Sequence, residues 1–285
     1  MKKKLISFAA SAAILMSMAV PLTVSAGDSD ISVWDGAVAG ATGGYGWFND
    51  LNSENGVRDV ITSGSGTIHI DSAAKLAALA LFGGRGSAYG GETNAETPVP
   101  AYTVDQLKFQ GVTFVLDTDI DLNGHAWSPI CSYGAAQPFL GTFDGQGHTI
   151  YGMSNKPTDT DGLFASNRNT QGKSYFGLFG YMAGTVKNVK IKNASWEYNG
   201  TISMPAGGGI AAFLGTTGAN SYRPLIDNCS VEDFTITFKS ASTPSHASHG
   251  FAGLAGSGWG GSITNCYVKN FTMDLSSTSD RKSVV

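Results

Sequence analysis

From Val186 to Met273 the apolar positions of the chain follow one pattern three times. Val186-Lys187-Asn188-Val189-Lys190-Ile191-Lys192-Asn193-Ala194-Ser195-Trp196 aligns with Ile226-Asp227-Asn228-Cys229-Ser230-Val231-Glu232-Asp233-Phe234-Thr235-Ile236. Both align with Ile263-Thr264-Asn265-Cys266-Tyr267-Val268-Lys269-Asn270-Phe271-Thr272-Met273. The starts lie 40 and 37 residues apart, the spacing of a repeat with variable loops. A lead of small residues precedes each copy: Gly177-Leu178-Phe179-Gly180, Gly209-Ile210-Ala211-Ala212 and Gly253-Leu254-Ala255-Gly256.

Within a copy the alternation slips twice. Positions 189 and 191 share one face of a strand, but 186 lies three before 189 and 194 three after 191. Each slip holds Asn or Asp: Asn188, Asn228 and Asn265 at the first, Asn193, Asp233 and Asn270 at the second. These residues tolerate left-handed backbone and bond their own main chain, so they suit sharp corners between short strands. A chain that bends repeatedly the same way, with its apolar residues inward, winds into coils. One coil cannot bury its own apolar face, and stacked coils about 4.8 Å apart share a core. The predicted fold is all-β, a right-handed parallel β-helix, with Lys192, Glu232 and Lys269 alternating in charge along one outward column. A β-sandwich or barrel also uses regular short strands, but would not stack equivalent Asn and Cys columns.

Further blocks carry a resemblance to a known family. Phe114-Val115-Leu116-Asp117-Thr118-Asp119-Ile120-Asp121-Leu122, Trp127-Ser128-Pro129-Ile130 and Phe139-Leu140-Gly141-Thr142-Phe143-Asp144-Gly145-Gln146-Gly147-His148-Thr149-Ile150 resemble the opening of the GLUG-motif β-helix proteins. The Gly-Leu-Phe-Gly and Val-Lys-Asn-Val segments look like that family's repeat. The resemblance spans roughly Trp34 to Met273. It implies a secreted or surface-attached bacterial protein, and the motif also accompanies IgA-specific metallopeptidases. Cys131 departs from the pattern in a place usually held by Gly, and Gly209-Ile210-Ala211-Ala212 lacks the Phe.

The N-terminus reads as a secretory signal peptide. Lys2, Lys3 and Lys4 precede an uncharged, mostly apolar stretch from Leu5 to Val20, and Val24-Ser25-Ala26 places small residues at a cleavage site. The run is short of the roughly 20 apolar residues that span a bilayer. Cleavage after Ala26 leaves 259 of the 285 residues, and the loss of three lysines takes the net charge from −4 to −7. The mature chain is therefore expected outside the cell, secreted or at the surface, with no membrane span.

Residues 27–66 read as a Gly/Ser-rich leader that packs loosely around Trp34-Asp35-Gly36 and Tyr45-Gly46-Trp47-Phe48. Residues 67–279 form the predicted β-helix. It opens on a strand at Thr67-Ile68-His69-Ile70 and a short capping helix that starts at Asp71 or Ser72 and runs through Phe82. Leu76, Leu79, Ala80 and Gly83 fall on one face of that helix, and Gly83-Gly84 stops it. Such a helix would cover the open end of the first coil. Arg85 to Ala101, Lys156 to Lys173 and Ser240 to Ser248 read as polar loops, the places where binding is expected. Asp280-Arg281-Lys282-Ser283-Val284-Val285 matches the translation of a common sequencing-library adapter, so residues 280–285 read as a non-native tail and the native chain is expected to continue past Ser279.

Only 14% of residues are charged, the balance is acidic and basic clusters are lacking, which argues against a nucleic-acid partner. Three cysteines cannot form a fully paired disulfide framework. Cys229 and Cys266 occupy the same inward repeat position and read as buried reduced thiols, although neighbouring strands bring such side chains near enough for a disulfide.

Candidate chemistry is sparse. Asp117, Asp119 and Asp121 alternate and would share a strand face where oxygen ligands for Ca²⁺ could gather. An EF-hand reading fails because Leu122 holds the sixth position and no Glu the twelfth, so these read as a solvated face with Asp121 turning into Asn123-Gly124. His246 and His249 form a His-x-x-His pair in a Ser-rich loop, without the further ligands zinc needs. His148 near Asp144 invites comparison with acid–base pairs of polysaccharide-degrading β-helices, yet Asp144-Gly145-Gln146-Gly147 reads first as a turn. Trp47, Tyr89, Tyr102, Trp127, Tyr133, Tyr222 and Trp259 suit either stacking on sugars or filling a core.

No catalytic, cofactor-binding or metal-ligating residue is assigned, and no cofactor is expected. The expected function is a stalk or adhesin-like binding region of a larger bacterial protein, with a glycan or a host surface protein as partner. The alternatives are a polysaccharide lyase or glycoside hydrolase with its site near Asp119, Asp144 and His148, the targeting region of a surface metallopeptidase, and a purely structural spacer.

Overall fold

The computed structural model describes residues 31–37, 47, 56–83, 102–103, 105–132, 137–155, 175–198, 206–215, 222–239 and 250–274. Among the described residues, two α-helices, one short 3-10 helix (Gln106–Lys108) and nineteen strands follow in chain order. β1 (Ser32–Val33) precedes a helix at Val57–Ser63, β2 (Gly66–Ile70) and a helix at Ala73–Phe82. Next come β3 (Val112–Leu116), β4 (Ile120–Asp121), β5 (Thr142–Asp144), β6 (Thr149–Tyr151) and β7 (Ser154–Asn155). The repeat region holds β8 (Tyr175–Phe176), β9 (Phe179–Met182), β10 (Thr185–Lys187) and β11 (Lys190–Tyr198). The same four recur as β12 (Ala206–Gly207), β13 (Ala211–Leu214), β14 (Leu225–Asp227) and β15 (Ser230–Phe238). They recur again as β16 (Gly250–Phe251), β17 (Ala255–Gly258), β18 (Ser262–Thr264) and β19 (Tyr267–Asp274).

The fold is all-β in character, with every strand pairing among the described residues parallel. One sheet runs β1-β4-β6-β11-β15-β19, with β7 also on β11, and a second runs β18-β14-β10-β5-β3-β2. Two three-stranded sheets, β16-β12-β8 and β17-β13-β9, complete the set. From β8 onward the chain visits the four sheets in a fixed order three times, and each strand from β12 to β19 pairs with its counterpart one round earlier.

Register follows the repeat alignment. Val186 faces Ile226, which faces Ile263, and Ile191, Val231 and Val268 form the next column. Ala194, Phe234 and Phe271 form a third, and Trp196, Ile236 and Met273 a fourth. A one-residue slip would turn every inward side chain out, so the shared apolar face holds this register. Lys192 Nζ lies 3.2 Å from Glu232 Oε2 in the charged column, and Glu232 pairs in register with Lys269.

Corners stand where Asn and Asp interrupt the alternation. Asn188, Asn193, Asn228, Asp233, Asn265 and Asn270 all have φ between 50 and 56°. Cys131 has φ 55°, a left-handed backbone that favours glycine.

The N-terminal part is packed more firmly than its composition implies. Val57, Val60 and Ile61 of the first helix are buried, and Trp34 is 1% exposed. The Ser32 and Trp34 amides bond Asp119 O and Asp121 O, so β1 joins the sheet. The helix Ala73–Phe82 starts at Ser72 as expected, although the Ser72 side chain makes no capping bond. It is buried around nearly its whole circumference rather than along one stripe, as suits a helix of Ala and Leu on all sides. Gly83 ends it with φ −57° and no left-handed turn; its small size is what counts, since a Cβ there would lie 2.8 Å from Leu79 O. Among the described residues no helix is long and apolar enough to cross a membrane.

Candidate functional site

The acidic stretch after β3 is dispersed by the fold. Asp117 turns back one round and meets His69 Nδ1 at 2.9 Å. Asp119 turns forward: its Oδ1 lies 2.9 Å from His148 Nδ1 and accepts the Thr149 amide at 2.9 Å. Asp121 Oδ1 accepts the Asn123 amide at 2.7 Å and closes the Asn123-Gly124 corner. The three carboxylates therefore serve three different partners. Among the described residues, no group of three or more His, Cys, Asp or Glu side chains is placed to hold a metal ion. His246 and His249 lie outside the described residues.

Asp144 and His148 bond in opposite directions along the stack. Asp144 reaches forward, accepting Asn188 Nδ2 at 2.8 Å and pairing Lys187 Nζ at 3.0 Å, while its Oδ1 also takes the Gln146 amide at 3.0 Å. His148 reaches back to Asp119. Burial opposes the Asp144 charge, yet the Asn188 amide, the Gln146 N–H and the Lys187 ammonium outweigh it and hold the carboxyl below the usual aspartate range. Of the three residues named for acid–base chemistry, Asp119 and His148 form a hydrogen-bonded pair, and Asp144 is the terminus of a different network. Asn228 Nδ2 donates to Asn188 Oδ1 at 2.8 Å, so the bonds run Asn228 to Asn188 to Asp144 across three rounds.

The cysteines are free. Cys131 and Cys229 are buried, and desolvation raises both thiols, Cys229 to about 12. Cys266 is half-buried beside Cys229, and the Cys229 amide donates to its Sγ at 3.4 Å.

Aromatic candidates divide cleanly. Trp127 is fully buried and its indole N–H donates to Gly177 O at 3.1 Å. Tyr102 is buried, and desolvation lifts its hydroxyl to about 12. Trp47 packs on the core beneath Lys75, whose ammonium sits 5.9 Å from the ring centroid. Tyr222 is half-buried, and Tyr89 and Tyr133 lie outside the described residues. Trp259 alone of the candidates is more than a third exposed among the described residues, at 47%.

Trp259 also belongs to an outer aromatic row that sequence reading did not assemble. Tyr181 and Phe213 pair in register on β9 and β13, stacked at 4.7 Å and 8°. The next position in that column is Ser257, but Trp259 lays its ring over Phe213 at 5.1 Å and 13°. Tyr175 closes the near side, edge-on to Tyr181 and Phe213 at 5.4 Å, and the Tyr181 hydroxyl donates to the Tyr175 hydroxyl at 3.3 Å. Desolvation, then the Tyr175 hydroxyl, raise the Tyr181 pKa. This cluster, with Ala206 and Ala212, is separate from the main core. Residues opposite Tyr175 shrink to Ala206 and then Gly250 in successive rounds, which leaves the last round least filled. Alternation sets Tyr181 on the same face as Phe179, two residues before it. The phase slips within β9, so that Phe179 and Met182 lie in the main core while Tyr181 joins the outer row, and the sequence pattern carried no signal for it.

No family model, curated protein or solved structure matches the chain.

Proposed function

We propose that the chain is a right-handed parallel β-helix of the GLUG-motif kind, secreted or displayed at the cell surface, and that it works as a binding region or stalk of a larger bacterial protein. The fixed visiting order of the four sheets, with parallel pairing from one round to the next, supports the winding. The observation that carries the binding reading is the outer row Tyr181, Phe213 and Trp259, which ends in a half-exposed indole. A flat aromatic stack presents apolar area at low entropic cost, and such surfaces take sugar rings or apolar patches of protein partners. The partner is a glycan or a host surface protein. The test is a screen of the secreted chain and its Trp259→Ala variant against immobilised glycans and host surface proteins. Binding that is lost with the indole supports the reading; an equal response from both proteins, or none, overturns it.

One observation favours a second reading, in which the chain degrades polysaccharides. The Asp119 carboxylate orients His148 through Nδ1 and leaves Nε2 as the reactive nitrogen, the arrangement a general base uses. Incubation with acidic polysaccharides, followed by absorbance of the unsaturated product or by reducing ends, tests this. Turnover that disappears in His148→Ala would install the enzymatic reading in place of the binding one.

A further inference from the structure

Cys229 and Cys266 occupy one column in successive rounds, and their backbones are alike. Each follows a left-handed asparagine, Asn228 with φ 50° and Asn265 with φ 53°, so both side chains leave the chain in the same direction. The Tyr267 amide donates to Cys229 O at 3.2 Å, which places the two segments at ordinary strand spacing of about 4.8 Å, inside the Cα separation that a disulfide accepts. The Cys229 amide donates to Cys266 Sγ at 3.4 Å. Otherwise the thiols contact carbonyls: Cys229 Sγ lies 3.2 Å from Asp227 O and 3.8 Å from Val186 O, and Cys266 Sγ lies 3.0 Å from Thr264 O and 3.7 Å from Ile226 O. Carbonyls attract thiol protons but form no lasting bond with sulfur. Among the described residues, the group within reach that can do so is the other cysteine. Exposure differs usefully: Cys229 is buried, while Cys266 lies on the last described round and is half-buried.

We infer that Cys229 and Cys266 are a modification site, oxidised by a small-molecule disulfide such as glutathione disulfide to a bond that staples the last two described rounds together. Cys266, the accessible thiol, loses its proton and attacks one sulfur of glutathione disulfide, breaking that S–S bond and releasing one glutathione thiolate. Cys229 then loses its proton and attacks Cys266 Sγ in the mixed disulfide. The Cys229–Cys266 bond forms and the second glutathione thiolate leaves. The two cysteine protons end on two glutathione molecules, so two thiols are oxidised and one disulfide is reduced. Burial keeps the Cys229 thiolate scarce, which makes the second step the slow one and favours mildly alkaline medium. Cys131 takes no part, because it is fully buried and its Sγ faces Leu107 O.

The test treats the intact chain with excess glutathione disulfide at mildly alkaline pH, counts free thiols after denaturation and maps tryptic peptides without reductant. Three cysteines are present, so the expected count falls from three to one. The peptide 193–239, which holds Cys229, and the peptide 240–269, which holds Cys266, should appear as one linked species. Cys266→Ser should keep both remaining thiols free, and Cys131→Ser should still yield the linked peptide. Three thiols retained overnight, a glutathione adduct on Cys266 without the linked peptide, or a bond between Cys266 residues of two molecules would each overturn the inference.

Discussion

Replacing Asn188 separates two contributions that this residue makes at once. Its backbone is left-handed at φ 56°, and its side chain donates to Asp144 Oδ1 and accepts from Asn228 Nδ2, both at 2.8 Å. Asn188→Ala removes both side-chain bonds. The one to the carboxylate is worth about 1.5 kcal/mol, the low end for a bond to a charged group at a partly exposed site, and the amide pair adds roughly 0.5 kcal/mol. Alanine also incurs about 1 kcal/mol for left-handed backbone that asparagine tolerates. The expected loss is about 3 kcal/mol. Asn188→Gly loses the same bonds but not the backbone strain, and instead gives up about 0.5 kcal/mol of extra unfolded-state entropy. Glycine should therefore be the milder change by about 0.5 kcal/mol. Urea unfolding of the three proteins reads this as an ordering of midpoints at unchanged slope. Acid supplies a second readout. The Asp144 pKa is depressed in the folded state, so its contribution is present above the unfolded value of about 3.9 and is lost as pH falls through the folded one. Asn188→Ala narrows that gap, and its deficit at neutral pH should shrink in acid. An alanine variant more stable than the glycine one, or a deficit constant from neutral to acid pH, would refute the account of the corner.

Other substitutions probe the stack at separate points. A Cβ at Gly184 would lie 2.1 Å from Gly141 O, with no side chain there to move aside, so Gly184→Ala should cost about 3 kcal/mol by the same urea assay. Phe179 is fully buried, 4.7 Å from the Phe139 ring and 5.6 Å from Phe143, and Phe179→Ala should cost about 4 kcal/mol. Trp259→Ala removes a half-exposed ring and should lower stability by less than half of that, while abolishing whatever binding the screen detects. Lys187→Met removes a partly exposed partner of Asp144 and should cost under about 1 kcal/mol at neutral pH, with a deficit that also shrinks in acid.

The repeat region was legible because its corners are chemical as well as geometric. An Asn or Asp in each slip announces a left-handed residue, and a column of such residues fixes the register of three successive rounds. The helix Val57–Ser63 was hidden for the opposite reason. It begins at Gly56 without a side-chain cap, and its apolar residues Val57, Val60 and Ile61 span a single turn inside a Gly- and Ser-rich stretch. Only tertiary burial makes so short a segment helical, and composition carries no trace of that. The Asp119–His148 contact was hidden because the two residues stand 29 apart and meet only once their rounds are stacked, whereas Asp144, nearer in sequence to His148, turns to the other side.

A stack of like rounds repeats its surface as faithfully as its core, and a feature repeated in every round discriminates little between partners. The informative places are those where the repetition breaks. Inward columns break mildly, exchanging Val189 for Cys229 and Cys266 at similar size. Outward columns break sharply. Ser257 stands where Tyr181 and Phe213 stand in earlier rounds, and Trp259 supplies the missing ring from two residues further along. Gly250 stands where Tyr175 closes the row in the first of these rounds, so the same round that gains an exposed indole loses the side chain that would wall it in. Neither position lies in the main core, although Gly250 answers a close backbone approach of its own, since a Cβ there would collide with Gly256 O. Their combination opens one end of an otherwise buried aromatic row, and on that ground the proposed recognition surface is set at Trp259 rather than along the polar faces of the sheets.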